Sequence, residues 1–280
     1  MKRIFTLLLL SAGVAAYAQP KLLTQATITT KTTIVAPETD DNQVQTSTGP
    51  DGGEVRVMRF GGDGETKTTT WLKNDLTKTF SESEIGRTTV IRDNSKKMTT
   101  TIMEMMGRKN AFYATDEDQA EMRKRMDSMM KSRNQNVSFG GSATPPTYTV
   151  VYVDENKKVA GYACKKALLI SARADRKDTT TIWYCPDFKL QNLASTGGAA
   201  GGFGGFNMTT GSNGMELLNG FPMQYERNMM RGRHMTVEVT KLTTDKEVAD
   251  KEFEIPKDIE VKPMKDMQGG GPGFQMRIGG

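Results

Sequence analysis

The only two cysteines of the chain, Cys164 and Cys185, stand at the two ends of one short stretch of sequence. If they lie directly opposite each other on two antiparallel strands, the hairpin turns within the polar run at 173–178. The same register places Lys166 opposite Trp183. Thiols this close pair in an oxidising compartment, whereas a redox or metal-binding pair normally uses a Cys-x-x-Cys motif, which the sequence lacks. The spacing therefore predicts a cross-strand disulfide between Cys164 and Cys185.

Residues that could carry catalysis are few. The chain has one histidine, His234, and no local signature makes it part of a Ser-His-Asp triad. The sequence has no Gly-x-Ser-x-Gly elbow and no Walker loop, and the glycine run at 201–205 lacks the spacing of a dinucleotide-binding loop. Acidic residues beside glycines, such as Asp51 and Asp63, fit turns better than calcium sites. The sequence therefore predicts a protein with no enzymatic activity and no cofactor.

Methionine is unusually frequent, with 19 residues in the chain. Met122, Met126 and Met129 recur at helical spacing, which indicates one side of a helix that packs against apolar groups. Thioether capture of Cu(I) is an alternative, but copper motifs also carry several histidines, and this chain has one. In a third interpretation, the methionine-faced helix lies across an open sheet and offers an adaptable surface to a lipid or an apolar peptide.

The N-terminus has the pattern of a secretory signal peptide, with Lys2 and Arg3 before a short apolar run and small residues, Ala16 and Ala18, at the cleavage site. The run is shorter than the roughly 20 residues that cross a bilayer. We therefore expect an exported protein, periplasmic or extracellular, that is soluble after cleavage near Ala18 and does not span a membrane. Removal of Lys2 and Arg3 lowers the formal charge from +5 to +3, which argues against a nucleic-acid partner.

The elements that must position these residues are mostly strands. Threonine-rich segments with alternating apolar residues, separated by short turn signals such as 154–157, predict an antiparallel meander rather than a parallel sheet with crossover helices. Segment 115–134 has a helical pattern with a capping box, 214–219 fits a short helix or turn, and 37–53 fits a loop. The predicted strands are 22–36, 54–60, 66–73, 76–81, 87–92, 97–106, 147–153, 158–171, 178–185 and 235–243.

Composition divides the chain into four parts. These are a signal peptide at 1–18, an N-terminal strand and flexible loop region at 19–65, a β domain at 66–264 and a flexible glycine-rich tail at 265–280. A low-complexity glycine-rich insertion at 194–214 interrupts the β domain.

Four short motifs follow one another in the second half of the chain: GYACKKA, WY, GFP and FEIP. In this order they resemble the exported family named after its Gly-Leu-Pro-Gly-Leu-Ile motif (GLPGLI). They are more similar to a sister domain of unknown function that is grouped with the outer-membrane lipoprotein carriers (LolA/LolB-like), because GFPMQYE stands in place of the GLPGLI core. The residues concerned are Gly161, Tyr162, Cys164, Lys165, Lys166 and Ala167; Trp183 and Tyr184; Gly220 and Pro222; and Phe253, Ile255 and Pro256.

The resemblance implies a mainly β, lipoprotein-carrier-like fold: a curved antiparallel sheet that forms an unclosed half-barrel, with one or two helices on its concave side. It implies no catalytic residues, and by analogy it implies a hydrophobic ligand, such as a lipid, an acyl chain or an apolar peptide, on the concave face. The alternative is a structural or interaction module that binds a protein of the cell envelope. The candidate ligand contacts are Trp71, Met103, Met122, Met126, Met129, Trp183 and Tyr184.

Overall fold

A computed structural model of the chain describes residues 19–37, 45–48, 54–57, 64–84, 86–105, 107–132, 146–173, 176–190, 214–228 and 232–268. This part of the chain is mainly β and contains one α-helix. The predicted signal peptide, almost all of the glycine-rich insertion and the tail beyond residue 268 lie outside the described residues. Among the described helices, none is long and apolar enough to cross a membrane.

The described elements comprise sixteen strands, one α-helix and three 3-10 turns. The strands are β1 (Lys21–Leu23), β2 (Gln25–Val35), β3 (Gln45–Thr48), β4 (Glu54–Val57), β5 (Gly64–Lys73), β6 (Leu76–Ser83), β7 (Gly86–Asp93), β8 (Met98–Met105), β9 (Arg108–Thr115), β10 (Thr147–Val159), β11 (Tyr162–Ala172), β12 (Lys177–Cys185), β13 (Phe188–Leu190), β14 (Phe221–Asn228), β15 (His234–Thr243) and β16 (Lys262–Pro263). The helix is α1 (Asp116–Ser132), and 3-10 turns lie at Met215–Leu217, Asp250–Phe253 and Met264–Gln268.

Twelve of these strands form one large open sheet in the order β10-β11-β12-β14-β15-β2-β5-β6-β7-β8-β9-β16. Every neighbouring pair is antiparallel except β9 and β16, which run parallel. The first and last strands of this order are not hydrogen-bonded neighbours, so the sheet is unclosed. Two small two-stranded sheets, β1 with β13 and β3 with β4, complete the described β structure.

Strand β2 joins two meanders into this one sheet. On one side, β5 to β9 pair in sequence order; on the other side lie β10, β11, β12, β14 and β15. β2 pairs with β5 and with β15 along nearly its whole length. Because β2 comes from the start of the chain, the N-terminal region is not an appendage to the sheet but supplies one of its central strands.

The architecture confirms the predicted mainly β fold with a large unclosed antiparallel sheet. The hairpin of β11 and β12 has the register that the cysteine spacing predicts, with Lys166 opposite Trp183 and Leu168 opposite Thr181. The short turn predicted at 214–219 contains the 3-10 turn at Met215–Leu217.

Three predictions about local structure are wrong. The turn predicted at 154–157 is part of β10, where a bulge between Val153 and Asn156 takes up the extra residues. The chain reverses instead at Ala160 and Gly161, whose φ angles of 48° and 86° suit a tight hairpin turn. The predicted loop at 37–53 contains β3, and the strands β9 and β14 were not predicted.

Helix α1 begins with a capping box, as its sequence predicts. The backbone N–H of Asp118 donates to Thr115 Oγ1 over 3.1 Å, and the backbone N–H of Thr115 donates to Asp118 Oδ2 over 2.9 Å. The hydrogen bonds that the Asp118 carboxyl accepts from the backbone N–H and the hydroxyl of Thr115 also lower its pKa below the ordinary value. The capping box fixes the point at which the chain leaves β9 and starts the helix.

Candidate ligand-binding face

Alternate residues of five neighbouring strands point to one side of the sheet and form what we call the threonine face. In β2, β5, β6, β7 and β8 this face has a single ionisable side chain, Arg92. Its members are Ala26, Ile28, Thr30, Thr32, Thr66, Thr68, Thr70, Leu72, Thr77, Thr79, Ser81, Thr88, Val90, Arg92, Thr99, Thr101 and Met103. Hydroxyl and methyl groups therefore alternate over an almost uncharged surface.

The threonines at the centre of this face are buried, with Thr30, Thr32, Thr68 and Thr77 exposing only 1% to 3% of their surface. Cross-strand pairs satisfy some hydroxyls, as in the 3.1 Å hydrogen bond between the hydroxyls of Thr68 and Ser81. The hydroxyls of Thr30 and Thr77 are buried without a hydrogen-bond partner among the described residues. An unpaired buried hydroxyl costs about 1–3 kcal/mol, so these two atoms are the notable polar feature of the face.

The opposite side of the same strands is partly charged and partly buried, with Ile91, Thr100 and Ile102 among its buried residues. One cross-strand row there consists of charged residues of both signs, and close ion pairs join Lys31 to Glu65 (2.6 Å) and Arg87 to Glu82 (2.8 Å). A charged row of this kind is typical of a solvated part of a sheet face. The row runs Glu238, Lys31, Lys67, Glu82, Arg87, Glu104 and Lys109.

The charge of Arg92 is neutralised on the threonine face by the first residue of α1. Its guanidinium donates to Asp116 Oδ1 and Oδ2 over 2.6 and 3.0 Å, and to the Thr99 hydroxyl over 3.3 Å. The amide of Gln119 also donates to the Thr99 hydroxyl. The hydrogen bond from Arg92 lowers the pKa of the Asp116 carboxyl. These contacts place the start of the helix on the threonine face.

We expect Asp116→Asn to destabilise the protein by about 1–2 kcal/mol, because it leaves the buried guanidinium without its counter-charge. The pKa of Asp116 is lowered in the folded state, so its contribution is present above the ordinary carboxyl pKa. It is lost as the pH falls through the lower folded pKa. Urea unfolding at a series of pH values should therefore show a difference between wild type and variant that disappears in acid.

The matched control for this prediction is Glu121→Gln. Glu121 forms an exposed ion pair with Arg125 one turn along the same helix, and such pairs contribute little. A similar loss in both variants, or a difference for Asp116→Asn that persists in acid, would contradict the role assigned to the Arg92–Asp116 pair.

The threonine face continues onto β15, β14, β12, β11 and β10, where it becomes apolar. There the chain itself covers it: Leu218 is fully buried, and the backbone N–H of Asn219 donates to the Tyr152 hydroxyl over 2.9 Å. This apolar cluster is therefore a filled core rather than an open groove. It comprises Ala167, Leu169, Ile182, Tyr184, Leu218, Tyr225 and Val237, flanked by Tyr148, Val150, Met215 and Met235.

The structure divides the predicted ligand contacts between two faces. Trp71 lies opposite the threonine face, and the Lys78 ammonium is 5.2 Å from the centroid of its ring. Trp183 also lies on that opposite side, with the Lys157 ammonium 4.4 Å from its ring centroid. Tyr184 belongs to the apolar cluster and its ring centroid is 5.5 Å from that of Tyr152.

Of the predicted methionine contacts, Met103 is the one that the structure places on the threonine face. Met103 is a half-buried member of that face, seven strands away from Tyr184 in the sheet order. Met122 is half-buried on α1. The side chains of Met126 and Met129 lie outside the described residues. The predicted contacts whose side chains are described therefore do not lie together in one site, and the threonines, whose pattern indicated only strands, provide the continuous surface instead.

Comparison of the sequence with models of known protein families identifies one matching family. Residues 53–259 match the family described as a domain of unknown function, DUF4412. The chain belongs to the DUF4412 family. This supports the predicted resemblance to a domain of unknown function, while the resemblance to the GLPGLI family stays an expectation. The DUF4412 match begins after β2, so it omits the strand that joins the two meanders.

Among solved structures, the chain is similar to the crystal structure of MucB, with 11% sequence identity and a TM-score of 0.37. The alignment covers 84% of this chain and 58% of the MucB chain, so this DUF4412 protein spans less than two thirds of the length of that relative. No curated protein matches the sequence.

Proposed function

We propose that the protein is exported, has no enzymatic activity, and binds an amphiphile with an aliphatic chain, such as a lipid or a fatty acid, on its threonine face. The observation that carries the proposal is the pair of buried hydroxyls, Thr30 and Thr77, without partners on an almost uncharged face. A ligand with a polar end and an aliphatic part matches both properties of this surface.

Polar groups of the ligand would supply hydrogen bonds that no described residue makes. Thr30 lies on β2 and Thr77 on β6, and the register places Thr77 level with Ala26, four residues along β2 from Thr30. The two hydroxyls are therefore about 16 Å apart, so each would bind a different polar group of a long ligand. The threonine methyl groups, together with the half-buried Val90 and Met103 on the same face, would supply apolar contacts for the aliphatic part.

The location of the proposed site differs from the one that the aromatic residues predict. Trp71 and Trp183 lie on the other side of the sheet, where lysine side chains cover their rings. Tyr184 is enclosed in the apolar cluster. Of the predicted contacts, Met103 is the one that lies on the threonine face.

The proposal is tested by ligand extraction and by titration with a fluorescent fatty acid. Mass spectrometry of an organic extract of the purified protein should find a bound amphiphile. We expect Thr30→Val and Thr77→Val each to weaken binding about fivefold, the equivalent of one lost hydrogen bond. Neither change should destabilise the free protein, because each removes a hydroxyl that is buried without a partner.

The matched control is Thr27→Val. Thr27 lies on the same strand as Thr30 but points to the opposite side, beside Trp71. Its replacement should leave fatty-acid binding unchanged. Absence of both a co-purified amphiphile and fatty-acid uptake would refute the proposal, as would equal effects of the Thr27 and Thr30 variants.

Export is tested separately, because it does not depend on the ligand. We expect the protein isolated from its own cells to begin at Gln19, which N-terminal sequencing would reveal. A cytosolic protein that retains residues 1–18 would refute export.

A second candidate function, an interaction module of the cell envelope, is favoured by the edge strand β10. Among the described strands, β10 pairs on one side only. Its first seven residues, 147–153, carry no charge, and Val151 and Tyr152 are 43% and 49% exposed. Such an edge can accept a strand from a partner. Capture of an envelope protein by wild type, but not by Val151→Lys, together with no lipid binding, would favour this candidate.

A further inference from the structure

The two cysteines occupy one end of the β11–β12 hairpin. The last pair in the ladder of these strands is Lys165 with Tyr184, and continuation of this register by one residue would place Cys164 opposite Cys185. Both side chains are buried, at 1% and 0% exposure. The structure contains them as separate thiols, packed in one apolar cluster with Phe188 and Phe221 among others.

This geometry suits a covalent link. Opposed residues of antiparallel strands have Cβ atoms about 4.5–5.5 Å apart. A disulfide needs a Cβ–Cβ distance of about 3.8 Å, so an approach of about 1 Å between the ends of two neighbouring strands is sufficient. Both side chains also belong to one core cluster, which places them on the same side of the hairpin.

We propose that Cys164 and Cys185 are joined by a disulfide bond while the chain folds, with a low-molecular-weight disulfide as the oxidant, and that folding then seals the bond in the core. The bond is thus a permanent cross-link rather than a reversible redox switch. The cysteine cluster also contains Ala26 and Ile28 of the threonine face, but the bond joins the two thiols alone, so the inference does not depend on the proposed ligand.

The chemistry is two successive thiol–disulfide exchanges. One cysteine thiolate attacks a sulfur of the oxidant, which forms a mixed disulfide and releases one oxidant thiolate. The second cysteine thiolate then attacks the cysteine sulfur of the mixed disulfide and releases the second oxidant thiolate. Two cysteines are oxidised and one oxidant disulfide is reduced to two thiols, which take up the two protons.

Folding controls the timing because it suppresses the reactive form of both thiols. Burial raises the pKa of Cys164 and of Cys185 to about 11. Relative to an ordinary thiol, this reduces the thiolate fraction at neutral pH about a hundredfold. The oxidant must also reach sulfur atoms that have almost no exposed surface. Exchange is therefore fast in the unfolded chain and slow in the folded reduced chain.

The test compares two oxidation reactions of the same full chain with oxidised glutathione. In the first, reduced protein is unfolded in guanidinium chloride and diluted into the oxidant so that it folds. In the second, the oxidant is added to reduced protein that is already folded. Free thiols are counted by maleimide labelling after denaturation, and peptide mapping identifies the linked residues. We expect rapid loss of both thiols in the first reaction and a rate about a hundredfold lower in the second.

Single variants provide the controls. Cys164→Ala and Cys185→Ala should each retain one free thiol after oxidative folding and should give no intramolecular link. Two free thiols in wild type that has refolded with native circular dichroism would overturn the bond. Equal oxidation rates for folded and folding protein would contradict the proposal that folding makes the two thiols inaccessible to the oxidant.

Discussion

A chain cut to residues 53–259, the limits of the DUF4412 match, is expected to lose its cooperative fold. This cut removes β2, which pairs with β15 from Thr27 to Val35 and with β5 from Gln25 to Ile34. Its loss leaves two long strand edges without hydrogen bonds and exposes residues such as Val237 and Leu72, which are fully buried in the whole protein. Circular dichroism and urea unfolding should show no sharp transition.

The control for this prediction separates β2 from its neighbour β1. A chain that starts at Gln25 lacks β1, which forms only a three-residue pair with β13, and we expect it to fold. Addition of a peptide that spans residues 19–37 should restore structure to the 53–259 chain, because the peptide supplies the missing strand. Cooperative unfolding of the 53–259 chain by itself, with wild-type stability, would show that β2 does not join the two meanders.

The second large effect is expected at Gly220, a residue of the Gly-x-Pro motif. A Cβ atom at this position would overlap the carbonyl oxygen of Cys185 and lie 2.7 Å from Cδ2 of the Tyr184 ring. This carbonyl belongs to the backbone of β12, so it cannot rotate away as a flexible side chain could. Either β12 or the backbone around Gly220 must shift. We expect Gly220→Ala to lower the free energy of unfolding by at least about 3 kcal/mol.

The comparison for this variant is Gly64→Ala. A Cβ atom at Gly64 would meet no other atom within 4 Å, and this glycine has no left-handed backbone angle. Its replacement should change stability by less than about 0.5 kcal/mol. Urea unfolding of both variants is the measurement. Equal urea midpoints for Gly220→Ala and wild type would mean that the close approach of Gly220 to β12 does not constrain the fold.

Local patterns predicted most of the elements because strands and helices have their own periods. The spacing of Cys164 and Cys185 fixed the register of a hairpin, since a two-strand ladder allows only one pairing for a given turn. The capping box at Thr115 and Asp118 fixed the start of α1 for the same reason: its hydrogen bonds connect residues three apart. Signals of this kind lie within the element that they predict.

The turn between β10 and β11 shows how such signals fail. The polar residues at 154–157 have the composition of a turn, but polar residues are equally acceptable on an exposed edge strand with a bulge. Ala160 and Gly161 form the actual turn because both adopt positive φ angles. Gly161 was the local indication of this turn, and the polar run at 154–157 gave a stronger but misleading turn signal.

The candidate site could not be predicted because a run of threonines does not show which residues of a strand face which side of the sheet. In β2, Thr29 and Thr30 follow each other, and their side chains point to opposite sides of the sheet. A residue with both a methyl and a hydroxyl group is acceptable on either side, so alternation of polar and apolar residues is lost. The predicted contacts were therefore methionine and aromatic residues, and the aromatic ones pack against lysines or within the apolar cluster.

The position of β2 also determines the order in which the parts of the large sheet can form. Val35 pairs with His234, so the strand that is synthesised near the beginning of the chain bonds to one made about 200 residues later. Each of the two meanders can form from strands that are adjacent in the sequence. The two meanders can join only after β15 is available to pair with β2. The proposed export would therefore leave the protein in two unjoined halves until β15 has crossed the membrane.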